Sequence, residues 1–107
     1  MKYKIELTDT AKSDLREIAL YLTEASKEKS IAIGFINELR ENYKKLEDFP
    51  FIGALPRDRI LVSSGYRFLV YKDYLTFYTV DEGQGIVWII AVFNGKRDYI
   101  KVLRQRI

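Results

Sequence analysis

The chain opens on an alternation. Tyr3, Ile5 and Leu7 are interleaved with Lys4 and Glu6, the period-two pattern of a short strand with one buried face. Thr8 and Asp9 then offer side-chain oxygens to the orphan amides of a helix. Ala11, Leu15, Ile18 and Leu22 follow at spacings of four, three and four, one apolar stripe with Lys12, Asp14, Arg16 and Glu17 mostly on the wet side. Ser26 to Ser30 is a polar break. Beyond it Ala32, Phe35, Ile36, Leu39, Tyr43 and Leu46 resume the helical period until Phe49 and Pro50 end it. Two amphipathic helices joined so briefly fold back on one another, because neither stripe is stable in water.

From Ile60 the period changes. "ILV", "YRFLVY", "LTFYTV" and "IVWIIAVF" are rich in branched and aromatic residues and read as strands, the last two separated by a turn at Asp81-Glu82-Gly83-Gln84-Gly85. Ile86 to Phe93 is almost wholly apolar, which predicts a central strand with helices on at least one face; alternation puts Ile89, Ala91 and Phe93 on one side and Trp88, Ile90 and Val92 on the other. One of these sides is expected to meet Leu15, Ile18, Leu39 and Leu46. Pro50, Gly53, Pro56 and Ser63-Ser64-Gly65 punctuate the stretch between helices and sheet. The whole predicts one α+β domain over residues 1–107, an N-terminal strand and a two-helix hairpin packed on a small, mainly antiparallel sheet.

Composition narrows the chemistry. At 107 residues with 48% hydrophobic residues the chain is long enough for one modest core. It has no cysteine, no apolar run of membrane-spanning length and no signal-peptide core after "MKYKIEL", so a soluble cytoplasmic protein is the expectation. It also has no histidine, which excludes a serine-histidine triad and a histidine-containing zinc site. "EGQG" and "FNGKRD" lack the spacing of either glycine-rich phosphate motif. Asp14 and Glu17, three apart on the first helix, read as a solvated face; Asp81 and Glu82 read as turn residues. No cofactor and no metal is called for.

Charge is uneven along the chain. The last fifteen residues, "FNGKRDYIKVLRQRI", hold five cations and one carboxylate, a net of +4 in a chain whose total is +3, so the rest carries a net −1. Arginine, lysine and tyrosine suffice to clamp a phosphodiester, neutralise its transition state and stack on bases. RNA cleavage by such residues needs no metal, because the substrate's own 2′-hydroxyl is the nucleophile. The base would have to be a perturbed lysine, a tyrosine or a carboxylate, since arginine titrates above pH 12. Candidate phosphate contacts are Arg57 and Arg59 around Asp58, Lys96 at the asparagine-glycine turn, and Lys101 and Arg104 near the end. Arg67 shares a strand face with Leu69 and Tyr71, where a charge must be paired or held at the rim. Arg97 follows the longest strand, where its fork of donors can face a ligand.

The ordered set "LTDTAKSDLREIALYL", "LEDFPFIG", "GYRFLVYKDYLTFYTV" and "VWIIAVFNGKRDY" resembles the RelE/ParE superfamily of type II toxin-antitoxin toxins over almost the whole chain. The resemblance implies two helices on an antiparallel sheet. It implies one of two activities: ribosome-dependent mRNA cleavage as in the RelE-like members, the leading expectation, or poisoning of DNA gyrase as in the ParE-like members. A non-catalytic binding or regulatory relative is the third. It also implies a cognate antitoxin whose disordered segment wraps the toxin, and contact with operator DNA only through that complex. In the RelE-like pattern the "GYR" arginine falls on Arg67 and the "GKR" arginine on Arg97, while the basic residues before the strand pair fall loosely on Arg57 and Arg59. The pattern's catalytic tyrosine, six residues past Arg97, falls on Leu103. Tyr99 is the nearest aromatic and takes that role in the nuclease reading.

Overall fold

A computed structural model describes residues 2–105. Strand β1 (Lys4–Leu7) leads into helix α1 (Asp9–Ser26), and α2 (Lys29–Tyr43) folds back against it before a 3-10 turn at Lys44–Glu47. A short helix α3 (Arg59–Ser63), strands β2 (Arg67–Tyr71), β3 (Tyr74–Asp81) and β4 (Ile86–Asn94), and a last helix α4 (Tyr99–Arg104) complete the chain. The sheet order is β1-β4-β3-β2. β4 is therefore interior, as its apolar run predicts, with β1 parallel on one side and β3 antiparallel on the other.

Thr8 explains where α1 starts and how it sits on the sheet. Its Oγ1 accepts from the Ala11 amide at 3.1 Å, and the hydroxyl lies 3.2 and 3.1 Å from the Ile89 and Ile90 carbonyls. β1 stops pairing at Leu7–Ile89, so the rest of that edge of β4 needs other partners. Asp14 supplies one, its Oδ2 accepting from the Val92 amide at 3.0 Å. The solvated-face reading of Asp14 is thus corrected: a strand amide without a ladder partner recruits the carboxylate. α1 ends at Lys27 in the left-handed conformation, and the break before α2 is shorter than Ser26 to Ser30.

Four predicted features differ from the structure. "ILV" lies within α3, because the Asp58 carboxylate accepts from the amides of Ile60 and Leu61 at 2.9 and 3.1 Å and so caps a helix rather than leaving a strand. The second helix gives way after Tyr43 to the 3-10 turn, short of Phe49. The basic end forms α4, which the apolar periodicity did not indicate. Finally, Ile89, Ala91 and Phe93 do not share a face. The ladder shifts by one between Phe77 and Tyr78, with Tyr78 opposite Ile89 and Phe77 opposite Ala91, so Ile90 is an extra residue. This bulge inverts the alternation beyond it.

The sheet consequently has two cores. Towards α1 and α2 lie Leu15, Ile18, Leu39, Leu46, Val87, Ile89 and Val92; the four helical residues are those expected to meet β4. On the other side Leu61, Tyr66, Phe77, Ala91, Phe93 and Leu103 pack under α3 and α4. Tyr43 and Thr76 share a buried 2.7 Å hydrogen bond between their hydroxyls, and burial raises the Tyr43 phenol to about 12.

Candidate functional site

Arg67 is the first residue of β2, and its guanidinium is turned onto the chain. Nη1 donates to the carbonyls of Phe51 and Gly53, both at 3.0 Å, and the cation lies 5.4 Å from the centre of the Phe51 ring. The same loop is held from below. Tyr78 Oη accepts from the Gly53 amide at 2.8 Å, and Ala54 and Phe68 exchange both backbone bonds at 2.9 Å. Burial raises the Tyr78 phenol, an effect opposed by the Gly53 amide and by Arg67. The charge is held at the sheet's rim by carbonyl oxygens.

Arg97 occupies a different place. It follows the Asn94-Gly95 turn, in which Gly95 donates to the Asp73 carbonyl at 2.7 Å and the Lys96 and Arg97 amides both bond Asn94 at 3.0 Å. Its guanidinium lies 5.3 Å from the Phe93 ring centre, and both cations are exposed. Arg67 is level with Tyr78 and Ile89, whereas Asn94 is level with Tyr74 and Tyr71. The two arginines therefore belong to opposite ends of β2, separated by roughly 13 Å of strand before the sheet's width is counted. The structure does not gather them around one phosphate.

The other expected residues are dispersed as well. Tyr99 begins α4 half-buried, its ring 4.8 Å from that of Phe77. Leu103 is fully buried. Arg104 is ion-paired to Asp58, the cap of α3, and the pair, chiefly through the Arg104 hydrogen bond, holds the Asp58 carboxyl below its usual range. Arg57, Arg59 and Lys101 are exposed. Arg106 lies outside the described residues. Residues 5–99 match the model of the ParE toxin of the type II toxin-antitoxin system parDE. The chain belongs to this ParE toxin family.

Among solved structures, this ParE family chain is similar to one from the chromosomal ParDE system of P. aeruginosa, with a TM-score of 0.70 at 17% identity over 87% of this chain and 96% of that one. A doubly substituted free RelE toxin of E. coli gives 0.67 at 14% identity, covering 100% and 99% of the two chains. The RelBE2 toxin-antitoxin complex of Mycobacterium tuberculosis gives 0.59 at 18%, covering 88% and 99%. Likeness at such identities concerns the fold, and the fold is that of RelE/ParE toxins. No curated protein matches the sequence.

Beside the basic turn, the ParE-type chain has an open cleft of about 490 Å³. Lys96 and Arg97 stand on one lip, Asp14 and Glu17 on the other, with Tyr21 and Tyr74 between. Burial chiefly raises the Tyr74 phenol. Asp14 and Glu17 read in sequence as a solvated face and Tyr21 and Tyr74 carried no signal, because these residues come from α1 and β3 and meet only when the helix crosses the end of β4. Among the described residues no group of acidic side chains is placed to hold a metal ion, and no helix is long and apolar enough to cross a membrane.

Proposed function

We propose that this toxin acts by binding, as a poison of DNA gyrase, with the basic turn at Lys96 and Arg97 as a contact surface. The observation that carries the reading is the burial of Leu103 where the nuclease pattern has its tyrosine. The commitment of Arg67 to the Phe51 and Gly53 carbonyls supports it, as does the ParE family match over residues 5–99. A toxin that works by docking needs a stable scaffold and a charged edge rather than an assembled set of acid, base and oxyanion donors. The cognate antitoxin neutralises it, and operator DNA is met through that complex.

Ribosome-dependent mRNA cleavage is the second reading. Lys96, Arg97 and Tyr99 lie within four residues of each other beside an exposed turn, and Arg57, Arg59 and Lys101 are further solvent-facing cations. The test is induction of the toxin followed by parallel mapping of mRNA ends and gyrase-linked DNA breaks. Gyrase-linked breaks with intact mRNA are expected, and Arg97→Ala is expected to reduce them while the protein stays folded. New mRNA ends without DNA breaks overturn the gyrase reading in favour of the nuclease.

A further inference from the structure

The cleft beside the basic turn brings three kinds of chemistry together. Thr8 ties the start of α1 to the Ile89 and Ile90 carbonyls, and Asp14, not quite two turns on, takes the Val92 amide, so the helix runs along β4 towards its end. Its next turn carries Glu17 and Tyr21 into the cleft that Lys96 and Arg97 border. Asp14 is committed to the strand. Glu17, Lys96 and Arg97 are exposed and make no ion pair among the described residues. Between these charges stand two phenols. The Tyr74 phenol is raised by burial and then by the neighbouring Tyr21, with an Asn94 hydrogen bond opposing, and its ring is backed by Phe35 at 5.2 Å. Tyr21 is 65% exposed, and its ring packs on no other ring among the described residues.

Each part selects a different portion of one ligand. Two unpaired cations at a turn favour a phosphate, which the Arg97 fork can take in two bonds. An open tyrosine ring favours a planar base, since stacking on a phenol holds any nucleobase. The carboxylate chooses among the bases. Guanine alone presents two adjacent donors on its pairing edge, N1–H and the N2 amino group, which match the two oxygens of Glu17. Adenine, cytosine and uracil each set a ring nitrogen acceptor or a carbonyl beside their donor, and a carboxylate repels it. The spacing agrees. Asp14 fixes α1 at Val92 and the turn opens at Asn94, two residues or roughly 7 Å further along the strand, a separation that one nucleotide bridges from base edge to phosphate. The cleft's volume of about 490 Å³ lies within the roughly 300–1,000 Å³ of small-molecule sites.

We propose that this cleft binds a guanine nucleotide, with the phosphate on Lys96 and Arg97, the base stacked on Tyr21, and the N1 and N2 donors on the Glu17 carboxylate. The nucleotide is a free one or one unit of a single strand, the chemistry being the same. A bound phosphate covers the two cations of the turn, so nucleotide and target compete for it. The site is tested without any target, so a mistaken choice between gyrase and mRNA leaves it standing.

Two titrations test it. In the first, the full chain is titrated calorimetrically with 5′-GMP, AMP, CMP and UMP and with guanosine. GMP is expected to bind about tenfold or more tighter than the other three nucleotides and than guanosine. Glu17→Gln, which keeps the shape and loses the charge, is expected to abolish the preference for GMP over AMP, and Arg97→Ala to bring GMP down to the level of guanosine, both with unchanged melting curves. Measurable but equal binding of the four nucleotides, a preference unchanged in Glu17→Gln, or a GMP affinity unchanged in Arg97→Ala overturns the proposal. The second titration compares oligothymidylate with the same strand carrying one central deoxyguanosine. Tighter binding of the guanine-bearing strand without binding of free GMP assigns the site to a unit of a strand, whereas the absence of a guanine preference among both free nucleotides and strands overturns the proposal.

Discussion

Arg67 and Gly53 show how single residues set the use of a surface. The Arg67 cation, which falls on an arginine of the nuclease pattern, holds two carbonyls of the loop that carries Phe49, Phe51, Ile52 and Leu55, all of them exposed. Gly53 allows the loop to sit down, because a Cβ there would come 2.5 Å from Tyr78 Oη and 2.9 Å from the Phe68 carbonyl. Tyr78 is fully buried and cannot swing aside without disturbing the helix-side core. Gly53→Ala is therefore expected to destabilise the fold by about 1–3 kcal/mol, the usual cost of forcing volume into a packed site. Urea titration checks this; an unchanged midpoint would mean the loop is not held as described. The sequence shows the glycine and the arginine but not their partner, since Tyr78 is 25 residues from Gly53 and reads as one more strand aromatic.

Among the elements, the helices were the most legible part of the chain. Their stripes repeat over several turns, so one misplaced residue does not obscure the period, and Leu15, Ile18 and Leu39 all end in the core. Leu39 is fully buried. Leu39→Ala should cost about 2–5 kcal/mol through lost burial and the cavity left behind, measurable as a lower chemical denaturation midpoint with an unchanged slope. The shorter elements were less legible. Three apolar residues at Ile60 to Val62 cannot distinguish a strand from a helical turn, and the deciding group, the Asp58 carboxylate, lies outside them. α4 was hidden for a similar reason: its stability comes from Leu103 and Tyr99 meeting the far face of the sheet rather than from a long stripe of its own. The candidate site was the least legible, because the family pattern that groups Arg67 with Arg97 carries no distances, and the two prove to be separated by the length of β2.

At the scale of the whole molecule, the sheet divides the protein into a thick layer, α1 and α2, and a thin one made by α3 and α4. The thin layer is fastened by the Arg104–Asp58 pair as well as by Leu61 and Leu103. The Asp58 carboxyl titrates below its ordinary value, 3.8, chiefly because of the Arg104 hydrogen bond. A depressed folded-state value means that the contribution is fully present above the unfolded value and is lost as pH falls through the folded one. Protection of the α4 amides from exchange, relative to the free-peptide rate at each pH, is thus expected to be steady from neutral pH down to about 4 and to fall below it, and Asp58→Asn should remove that acid-dependent step. The same exchange profile in the variant would assign the acid sensitivity to another carboxylate. The bulge at Ile90 ties the two layers to one strand in a way that bears on how such a chain drifts. Residues before it answer to one core by odd numbers and residues after it by even ones, so β4 carries a parity that its length must preserve. Many substitutions along β4 keep that parity. A single inserted or deleted residue would turn the strand's outer half, and the basic turn that follows, over to the opposite side of the protein.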